Sequence, residues 1–281
     1  MKVMVAGAAG MLGQDVVGAA QRRGHAVAAL THQDLDITDP VSIDDAIAEL
    51  RPEAIIDCAA WSDVDGAEDD ERGAMTINDT GAGLLAAAAA RIGASILYPS
   101  SDYVFDGTKR SPYLEADMPE PINAYGRSKL GGEVSVAAAN PKHFIVRTSW
   151  LYGLGGGNFV ETMLRIGKEQ PEVLVVSDQR GCPTSTADLA EGMIELIATD
   201  RHGIHHMVGG GDCTWFEFAA EIFDQAHYET RVMSATTEMM ARKAPRPAYS
   251  ILGHMRDDAI LLQPWQHALR RYLDDRELIA R

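Results

Sequence analysis

The sequence predicts an α/β fold, a doubly wound parallel sheet of about seven strands with a smaller C-terminal lobe that binds substrate. Short apolar runs alternate with helical patterns in the N-terminal half, which favours parallel strands joined by helices. A glycine-rich turn follows the first apolar run, and small hydroxyl side chains follow the fourth. We expect residues 1–150, re-entered at about 184–204, to bind the nucleotide cofactor, and residues 151–183 and 205–281 to form the lobe.

Composition and charge limit the partners. The 281-residue chain has a formal net charge of −16, which argues against binding to nucleic acid or to an anionic membrane. Any anionic ligand must therefore meet local cations or helix N-termini. The three cysteines lack metal-ligand spacing, as do the six histidines after residue 200, so no metal site is predicted. A cytoplasmic location is expected, since there is no signal-peptide pattern and no apolar run of about 18 residues.

The first predicted strand, residues 2–6, leads into a Gly-x-x-Gly-x-x-Gly turn and a helical pattern that runs to Arg23. Glycine permits positive φ and lets a pyrophosphate approach the amide groups of a helix N-terminus. A tight turn without a ligand is the alternative. The predicted cofactor contacts here are Gly7, Gly10, Met11, Leu12 and Gly13.

The second predicted strand, residues 25–31, ends in Leu-Thr-His. A site specific for NAD normally carries an acid at this point to bind the ribose 2′-hydroxyl. Without that acid a 2′-phosphate is not repelled, and His32 or Arg22 could face it, although a solvated strand end is the alternative. We therefore expect NADPH to be preferred, with Asp36 and Ile37 facing the adenine.

The third and fourth strands, at residues 54–57 and 95–98, end at further candidate positions. The first is followed by Ala60, Trp61 and Ser62, where the chain could lie against the nicotinamide half of a cofactor. An acidic loop at residues 63–72 favours a solvated surface over a cation site. Ser101 lies just past the fourth strand, where open α/β sheets bind ligands, and its hydroxyl could bond a carbonyl.

Tyr125 and Lys129 lie one helical turn apart, on one face of a predicted helix. A phenol has a pKa of about 10, and a nearby ammonium lowers it, as proton transfer to a carbonyl oxygen requires. The spacing alone is weak support. It gains weight from the glycine turn and Ser101 in the same chain.

The second half of the chain continues the alternation of strands and helices. Strands are predicted at residues 143–148, 173–176 and 204–208, and helices at 159–168, 188–199, 214–226 and 265–273. Residues 153–157 form a glycine-rich loop. The aromatic stripe of Trp215, Phe218 and Phe223 indicates core packing.

Together these motifs resemble the extended short-chain dehydrogenase/reductases, whose Ser/Thr, Tyr and Lys set is matched by Ser101, Tyr125 and Lys129. Within that superfamily the chain resembles the dTDP-4-dehydrorhamnose reductases nearly from end to end. Two positions depart from that pattern: Ser101 replaces a usual threonine, which keeps the hydroxyl, and Cys182 occupies a variable position. The matching segments are residues 59–65, 101–107, 123–126, 147–152, 158–159, 163–164, 178–184, 246–247 and Ser250.

The resemblance implies a Rossmann-type domain and reduction of a dTDP-linked 4-keto-sugar. Tyr125 would donate the proton, Lys129 would hold the ribose and lower the pKa of Tyr125, and Ser101 would orient the carbonyl. Asp102 and Trp150 would contact the sugar. A basic cluster of Arg242, Lys243 and Arg246 would meet the diphosphate, with a solvated turn as the alternative. NADH and Mg²⁺ are also compatible with the family, as is either a monomer or a homodimer.

Two other functions also fit the sequence. One is reduction of a different nucleotide-linked 4-keto-sugar. Related 4,6-dehydratases place an Asp-Glu pair where this chain has Asp102 and Tyr103, and a tyrosine does not replace that glutamate. Another is a non-catalytic subunit, because the same fold serves as the β subunit of methionine adenosyltransferase.

Overall fold

The computed structural model describes residues 1–279 and is built around a parallel sheet. The strands are β1 (Lys2–Ala6), β2 (Ala26–Leu30), β3 (Ala54–Asp57), β4 (Ser95–Ser101), β5 (His143–Thr148), β6 (Leu151–Tyr152), β7 (Glu172–Val176), β8 (Arg180–Gly181), β9 (Thr184–Ser185), β10 (Gly203–His206), β11 (Cys213–Thr214) and β12 (Arg231–Ala235). The helices are α1 (Met11–Arg22), α2 (Pro40–Leu50), α3 (Val64–Ala67), α4 (Glu71–Met75), α5 (Ala82–Arg91), α6 (Ala124–Ala139), α7 (Phe159–Glu169), α8 (Thr186–Ile197), α9 (Trp215–Gln225), α10 (Thr237–Met240) and α11 (Trp265–Ile279). A π-helical turn spans Thr76–Gly81, and a short 3₁₀ turn spans Asp102–Val104.

The central sheet has six strands in the order β10-β5-β4-β3-β1-β2, all of them parallel. The doubly wound α/β class is therefore confirmed, but the predicted count of about seven strands is wrong. The run at residues 173–176 has strand character, yet it pairs with β12 in a separate two-stranded sheet. Apolar patterning identifies a strand without identifying its partner.

Helices cover both faces of the sheet. On one face α1 and α8 pack over Val3, Val5 and Ile56, and on the other α2 and α5 pack over Met4 and Ile55. The chain thus returns to the sheet through α8 and β10, after it has left at β6. Because all six strands are parallel, their carboxyl ends share one edge, where ligands bind in folds of this class.

A second core lies around α7, α9 and α11, where Phe218 and Phe223 are buried as predicted. Trp215, from the same stripe, is partly buried and packs against this core as predicted, and it also lines a cavity. The predicted division into two lobes stays a prediction. Within residues 1–279, no helix combines the length and apolar character needed to cross a membrane.

Candidate active site

The glycine turn after β1 forms a cradle without side chains. Gly7 has φ +68°, and a Cβ there would lie 2.5 Å from the backbone nitrogen of Ala59. A Cβ on Gly13 would collide with the carbonyl oxygen of Gly7. Gly10 caps α1 without a side-chain hydrogen bond, so the first amide groups of that helix, from Met11 and its neighbours, are left for a ligand. The geometry fits a dinucleotide pyrophosphate.

The glycine-rich loop at residues 153–157 lies over this turn. Gln14 Nε2 donates to the carbonyl oxygen of Ala9 at 2.8 Å and to that of Gly155 at 3.4 Å. Asn158 Nδ2 donates to the carbonyl oxygen of Gly153 at 2.9 Å and lies 3.7 Å from Met11 Sδ. The loop therefore adjoins the cofactor cradle, a position that its sequence did not reveal.

The end of β2 carries an acid that the sequence argument missed. Asp34 Oδ2 accepts hydrogen bonds from Thr31 N at 2.9 Å and Thr31 Oγ1 at 2.7 Å, so a carboxylate folds back onto the strand end. His32 is exposed there, and its contact with a 2′-phosphate stays a prediction. Arg22, the alternative contact, is exposed and pairs with Glu191 at 2.9 Å.

Asp36 and Ile37 lie in different environments. Asp36 Oδ1 accepts hydrogen bonds from Thr38 N at 2.8 Å and Thr38 Oγ1 at 2.7 Å, and these bonds lower its pKa. Ile37 is buried in the core and packs against Gly81 of the π-helical turn. Their contact with adenine stays a prediction.

Ala60 and Ser62 are exposed after β3, and Trp61 between them is partly buried. The fully buried side chain of Asn78 exchanges hydrogen bonds with the backbone of Trp61, at 2.9 and 3.0 Å. Its amide also donates to Ser128 Oγ on α6 at 2.8 Å. Asn78 thus ties the predicted nicotinamide wall to the helix of Tyr125. It lies in the π-helical turn, a feature often found at functional sites and without a sequence signal.

Ser101 and Asp102 lie at the carboxyl end of β4 and are both buried. Ser101 Oγ donates to Asp102 Oδ1 at 3.1 Å and accepts from Tyr103 N at 3.1 Å. Within residues 1–279, Asp102 Oδ2 has no hydrogen-bond partner in good geometry, although the side chain of Ser250 lies nearby. Burial raises the pKa of Asp102 to about 7, against the hydrogen bonds that lower it.

Tyr125 lies in the first turn of α6, with its ring 6.0 Å from that of Tyr103 in an edge-to-face contact. Burial raises the pKa of Tyr125 to about 12, and the adjacent Ser101 hydroxyl acts in the opposite direction. The two hydroxyls therefore lie together, as the sequence analysis anticipated. The expected lowering of the Tyr125 pKa is wrong for this structure, because desolvation of the phenolate outweighs the other influences.

Lys129 is buried one turn further along α6, with its Nζ 4.0 Å from the centre of the Tyr98 ring. Burial lowers the pKa of Lys129, and the negative charges of Asp57 and Glu133 raise it. Asp57 ends β3, is 2% exposed and leaves Oδ2 without a hydrogen bond within residues 1–279. Lys129 thus faces a carboxylate that the sequence analysis did not single out.

A buried ion pair joins α6 to strand β5 of the central sheet. Arg147 on β5 donates to both carboxylate oxygens of Glu133, at 2.8 and 2.7 Å, and Ser100 Oγ donates to the same group at 2.6 Å. Glu133 lies one turn after Lys129 on the same face. Breaking such a pair leaves an uncompensated buried charge, so it fixes the helix against the sheet.

Trp150, the predicted sugar contact, has φ +48° and stacks on Trp215, with ring centroids 3.6 Å apart and planes 7° apart. A Cβ on Gly181 would lie 2.6 Å from Trp150 Cε2, so the indole lies against that backbone. Trp215 was not among the predicted site residues.

The basic cluster is paired with the acidic loop. Arg246 Nη1 donates to Asp65 Oδ1 at 2.6 Å, Arg242 lies 3.7 Å from Asp65 Oδ2, and Lys243 bonds Asp69. The acidic loop is therefore not simply a solvated surface. Hydrogen bonding to Arg246 lowers the pKa of Asp65 to about 2.

A cavity of about 410 Å³ adjoins these groups and is lined by Tyr103, Arg242, Arg246, Phe159 and Trp215, among others. It combines aromatic walls with two guanidinium groups, as a site for an anionic organic ligand does. In residues 1–279 there is no group of three or more His, Cys, Asp or Glu side chains that could hold a metal ion.

Comparison with known proteins agrees with this geometry. Residues 1–278 match the family model described as the RmlD substrate binding domain. The chain is 43% identical over 271 residues to the dTDP-4-dehydrorhamnose reductase of Streptomyces griseus, covering 94% of this chain and 89% of that one. It is 41% identical over 253 residues to the dTDP-4-keto-6-deoxy-D-glucose reductase of Streptomyces niveus, covering 89% and 88%.

A solved structure shares the fold throughout. It is the dTDP-4-dehydrorhamnose reductase of Bacillus anthracis in complex with NADP, with a TM-score of 0.95, 40% identity and coverage of 98% of this chain and 99% of that one. The predicted resemblance is confirmed: this chain belongs to the RmlD substrate binding domain family.

Proposed function

We propose that this protein uses NADPH to reduce the 4-keto group of dTDP-4-dehydro-L-rhamnose to the alcohol of dTDP-L-rhamnose. The observation that carries the proposal is the pair of hydroxyls of Ser101 and Tyr125 at the carboxyl edge of the sheet, with Lys129 buried on the same helix face. The glycine cradle adjoins that edge. The names of the relatives, and the NADP in one of them, support the reductase assignment.

Each side chain has a role that follows from its surroundings. NADPH, when bound, supplies the hydride. Ser101 donates to the keto oxygen and orients it, and Tyr125 gives its proton to the oxygen as negative charge develops there. Because burial raises the pKa of Tyr125 to about 12, the phenol carries its proton at neutral pH. Lys129 would supply positive charge beside the ribose.

The cofactor would lie along the cradle, with its pyrophosphate on the amide groups of Met11 and its neighbours and its nicotinamide half against residues 60–62. The exposed His32 would meet the 2′-phosphate, which favours NADPH over NADH.

The sugar nucleotide would occupy the 410 Å³ cavity, with its diphosphate near Arg242 and Arg246. Both guanidinium groups face Asp65, so the diphosphate must share or displace that carboxylate. Asp102 and Trp150 would contact the sugar. We also propose the predicted division into a cofactor domain and a substrate lobe, whereas the oligomeric state and cytoplasmic location stay predictions.

A second candidate is reduction of a different dTDP-linked 4-keto-sugar, favoured by the 41% identity to a dTDP-4-keto-6-deoxy-D-glucose reductase. Both candidates use the same chemistry and differ in the sugar. The deciding experiment follows NADPH oxidation by the purified protein with each dTDP-linked keto-sugar and with UDP- and GDP-linked ones. The proposal requires the highest kcat/KM with dTDP-4-dehydro-L-rhamnose, and a higher value with another sugar overturns it.

A further inference from the structure

Trp150 is held in a backbone conformation that a bulky residue rarely adopts. Its φ of +48° lies in the left-handed region, which favours glycine. Such conformations persist where the surrounding contacts over-determine them. On one side, the indole of Trp150 lies against the backbone of Gly181, where even a methyl group would collide with ring atoms.

On the other side the indole of Trp150 stacks on that of Trp215, 3.6 Å away and nearly parallel. Trp215 is itself braced by Phe159, at 4.6 Å between ring centroids. It is the first residue of α9, whose N-terminus is closed by reciprocal hydrogen bonds between Thr214 and Glu217, at 3.1 and 2.7 Å.

The helix end is in turn tied to the strand of Gly181. Arg180 on β8 binds Glu217 at 3.1 Å and also pairs with Asp212. The two surfaces that enclose the Trp150 indole, Gly181 and Trp215, are thus joined through Arg180. This arrangement fixes the indole more firmly than either contact alone would.

Trp215 also lines the 410 Å³ cavity, beside Tyr103 and Arg246. We infer that Trp215 is a positioning residue for the sugar nucleotide, which sets the placement of the Trp150 indole by stacking on it. The inference rests on the proposed function, in which Trp150 contacts the sugar. It makes Trp215 on α9 a second determinant of sugar-nucleotide binding. Trp215 lies 65 positions from Trp150 in the sequence and outside every segment that matches the family.

The test uses Trp215→Ala, Trp215→Phe, Trp150→Ala and the double alanine variant, with Phe216→Leu as the matched control. Phe216 follows Trp215 on α9, but its side chain leaves the helix about 100° away. Trp215→Ala should raise KM for the sugar nucleotide about 3- to 10-fold, the range of an aromatic pair, with a smaller fall in kcat and unchanged KM for NADPH. Trp215→Phe should recover most of the loss.

Two further readouts separate positioning from general stability. Stacked indoles couple in circular dichroism, so a paired far-ultraviolet band should vanish in both Trp215 variants and persist in Phe216→Leu. The double alanine variant should be no worse in KM than Trp150→Ala, because Trp215 acts through Trp150.

Other outcomes overturn the inference in distinguishable ways. If Trp150→Ala raises KM while Trp215→Ala does not, the positioning role fails and the proposed sugar contact stands. Additive effects would mean that Trp215 acts independently of Trp150. Unchanged KM in both single variants would remove the sugar contact and the inference together. If Trp215→Ala does not fold, Trp215→Leu removes the aromatic ring but keeps apolar bulk, and a wild-type KM in that variant overturns the inference.

Discussion

Arg246 Nη1 lies 2.6 Å from Asp65 Oδ1, which joins the basic cluster to the loop that follows β3. Asp65 also accepts a hydrogen bond from Ala244 N at 3.0 Å, so one carboxylate holds both the side chain and the backbone of this segment. A protein of net charge −16 needs gathered cations to bind a sugar nucleotide, and here those cations are already balanced by acids.

Arg246→Ala should raise KM for the sugar nucleotide by about 10- to 100-fold, since a charge-assisted contact is worth roughly 1.5 to 3 kcal/mol. The kcat should fall less, because the phosphates lie a sugar ring away from the reacting carbonyl. Steady-state kinetics at low ionic strength measure both values, and added salt should raise the wild-type KM modestly. Arg231→Ala is the control, since it removes an exposed arginine that pairs with Glu172. If the variant with alanine at Arg242, Lys243 and Arg246 keeps the wild-type KM, the basic cluster does not bind the diphosphate and is only a solvated turn.

Tyr125→Phe should keep the fold and lose about 10²- to 10⁴-fold in kcat, the contribution of general acid catalysis. The ring stays in its contact with Tyr103 while the proton is removed. Single-turnover rates of NADPH oxidation measure the chemical step directly. Tyr228→Phe, a hydroxyl deletion beside Phe223, serves as the control. More than half of the wild-type rate in Tyr125→Phe would exclude Tyr125 as the donor.

The parts of the site that the sequence predicted are local. The spacing of Gly7, Gly10 and Gly13 predicts a tight turn, because side chains do not fit there. The spacing of Tyr125 and Lys129 places both on one face of a helix. The alternation of short apolar runs with helical patterns predicted the strands of the six-stranded parallel sheet. It also predicted a strand at residues 173–176, but that strand pairs outside the central sheet.

The parts that it missed depend on tertiary contacts. Asn78 reaches both Trp61 and Ser128, which lie 17 and 50 positions away along the chain. The pKa of Tyr125 is raised because burial, which spacing does not report, outweighs the hydrogen bond with Ser101, and the charge of Asp102 raises it further. Asp65 and Arg246 meet across 181 positions, so charge patterning alone showed two clusters and not their pairing.

NADPH should give a higher kcat/KM than NADH, because the exposed His32 is available to a 2′-phosphate. His32→Ala should narrow that ratio mainly by raising KM for NADPH. Initial rates with each cofactor at a saturating keto-sugar concentration provide the comparison. His267→Ala, at an exposed position on α11, is the control. An equal or higher kcat/KM with NADH in the wild type would contradict the preference.

Asp57→Asn should move the basic limb of the pH–rate profile to lower pH. Lys129 must carry a proton to supply its charge, burial lowers its pKa, and the negative charge of Asp57 raises it. Removing that charge leaves burial less opposed, so activity should be lost at a lower pH than in the wild type. The profile of kcat/KM between neutral and alkaline pH measures the shift. Asp45→Asn, which removes an exposed carboxylate, should leave the limb in place. An unmoved or upward-shifted limb in Asp57→Asn would show that Asp57 does not act on the titrating group.

Asp102→Asn should stabilise the protein increasingly as the pH rises from about 4 to 8. Burial raises the pKa of Asp102 from 3.8 to about 7, so the folded state binds the proton more tightly than the unfolded state does. Below pH 4 both states are protonated and nothing is lost. Between the two pKa values stability falls as the pH rises, reaching a deficit on the order of 2 to 4 kcal/mol above pH 7, which the neutral amide avoids.

Thermal unfolding of both proteins at several pH values measures this, with the Tm difference expected to be small at pH 4 and largest at pH 8. Asp106→Asn gives the opposite sign as a matched control. Hydrogen bonds from Tyr113 and Thr108 lower the pKa of Asp106, so its carboxylate stabilises the fold above the unfolded pKa and that stabilisation is lost as the pH falls. A Tm difference for Asp102→Asn that is independent of pH would mean that Asp102 is ionised in the folded protein throughout this range, and hence that its buried oxygen Oδ2 is better solvated or partnered than its surroundings indicate.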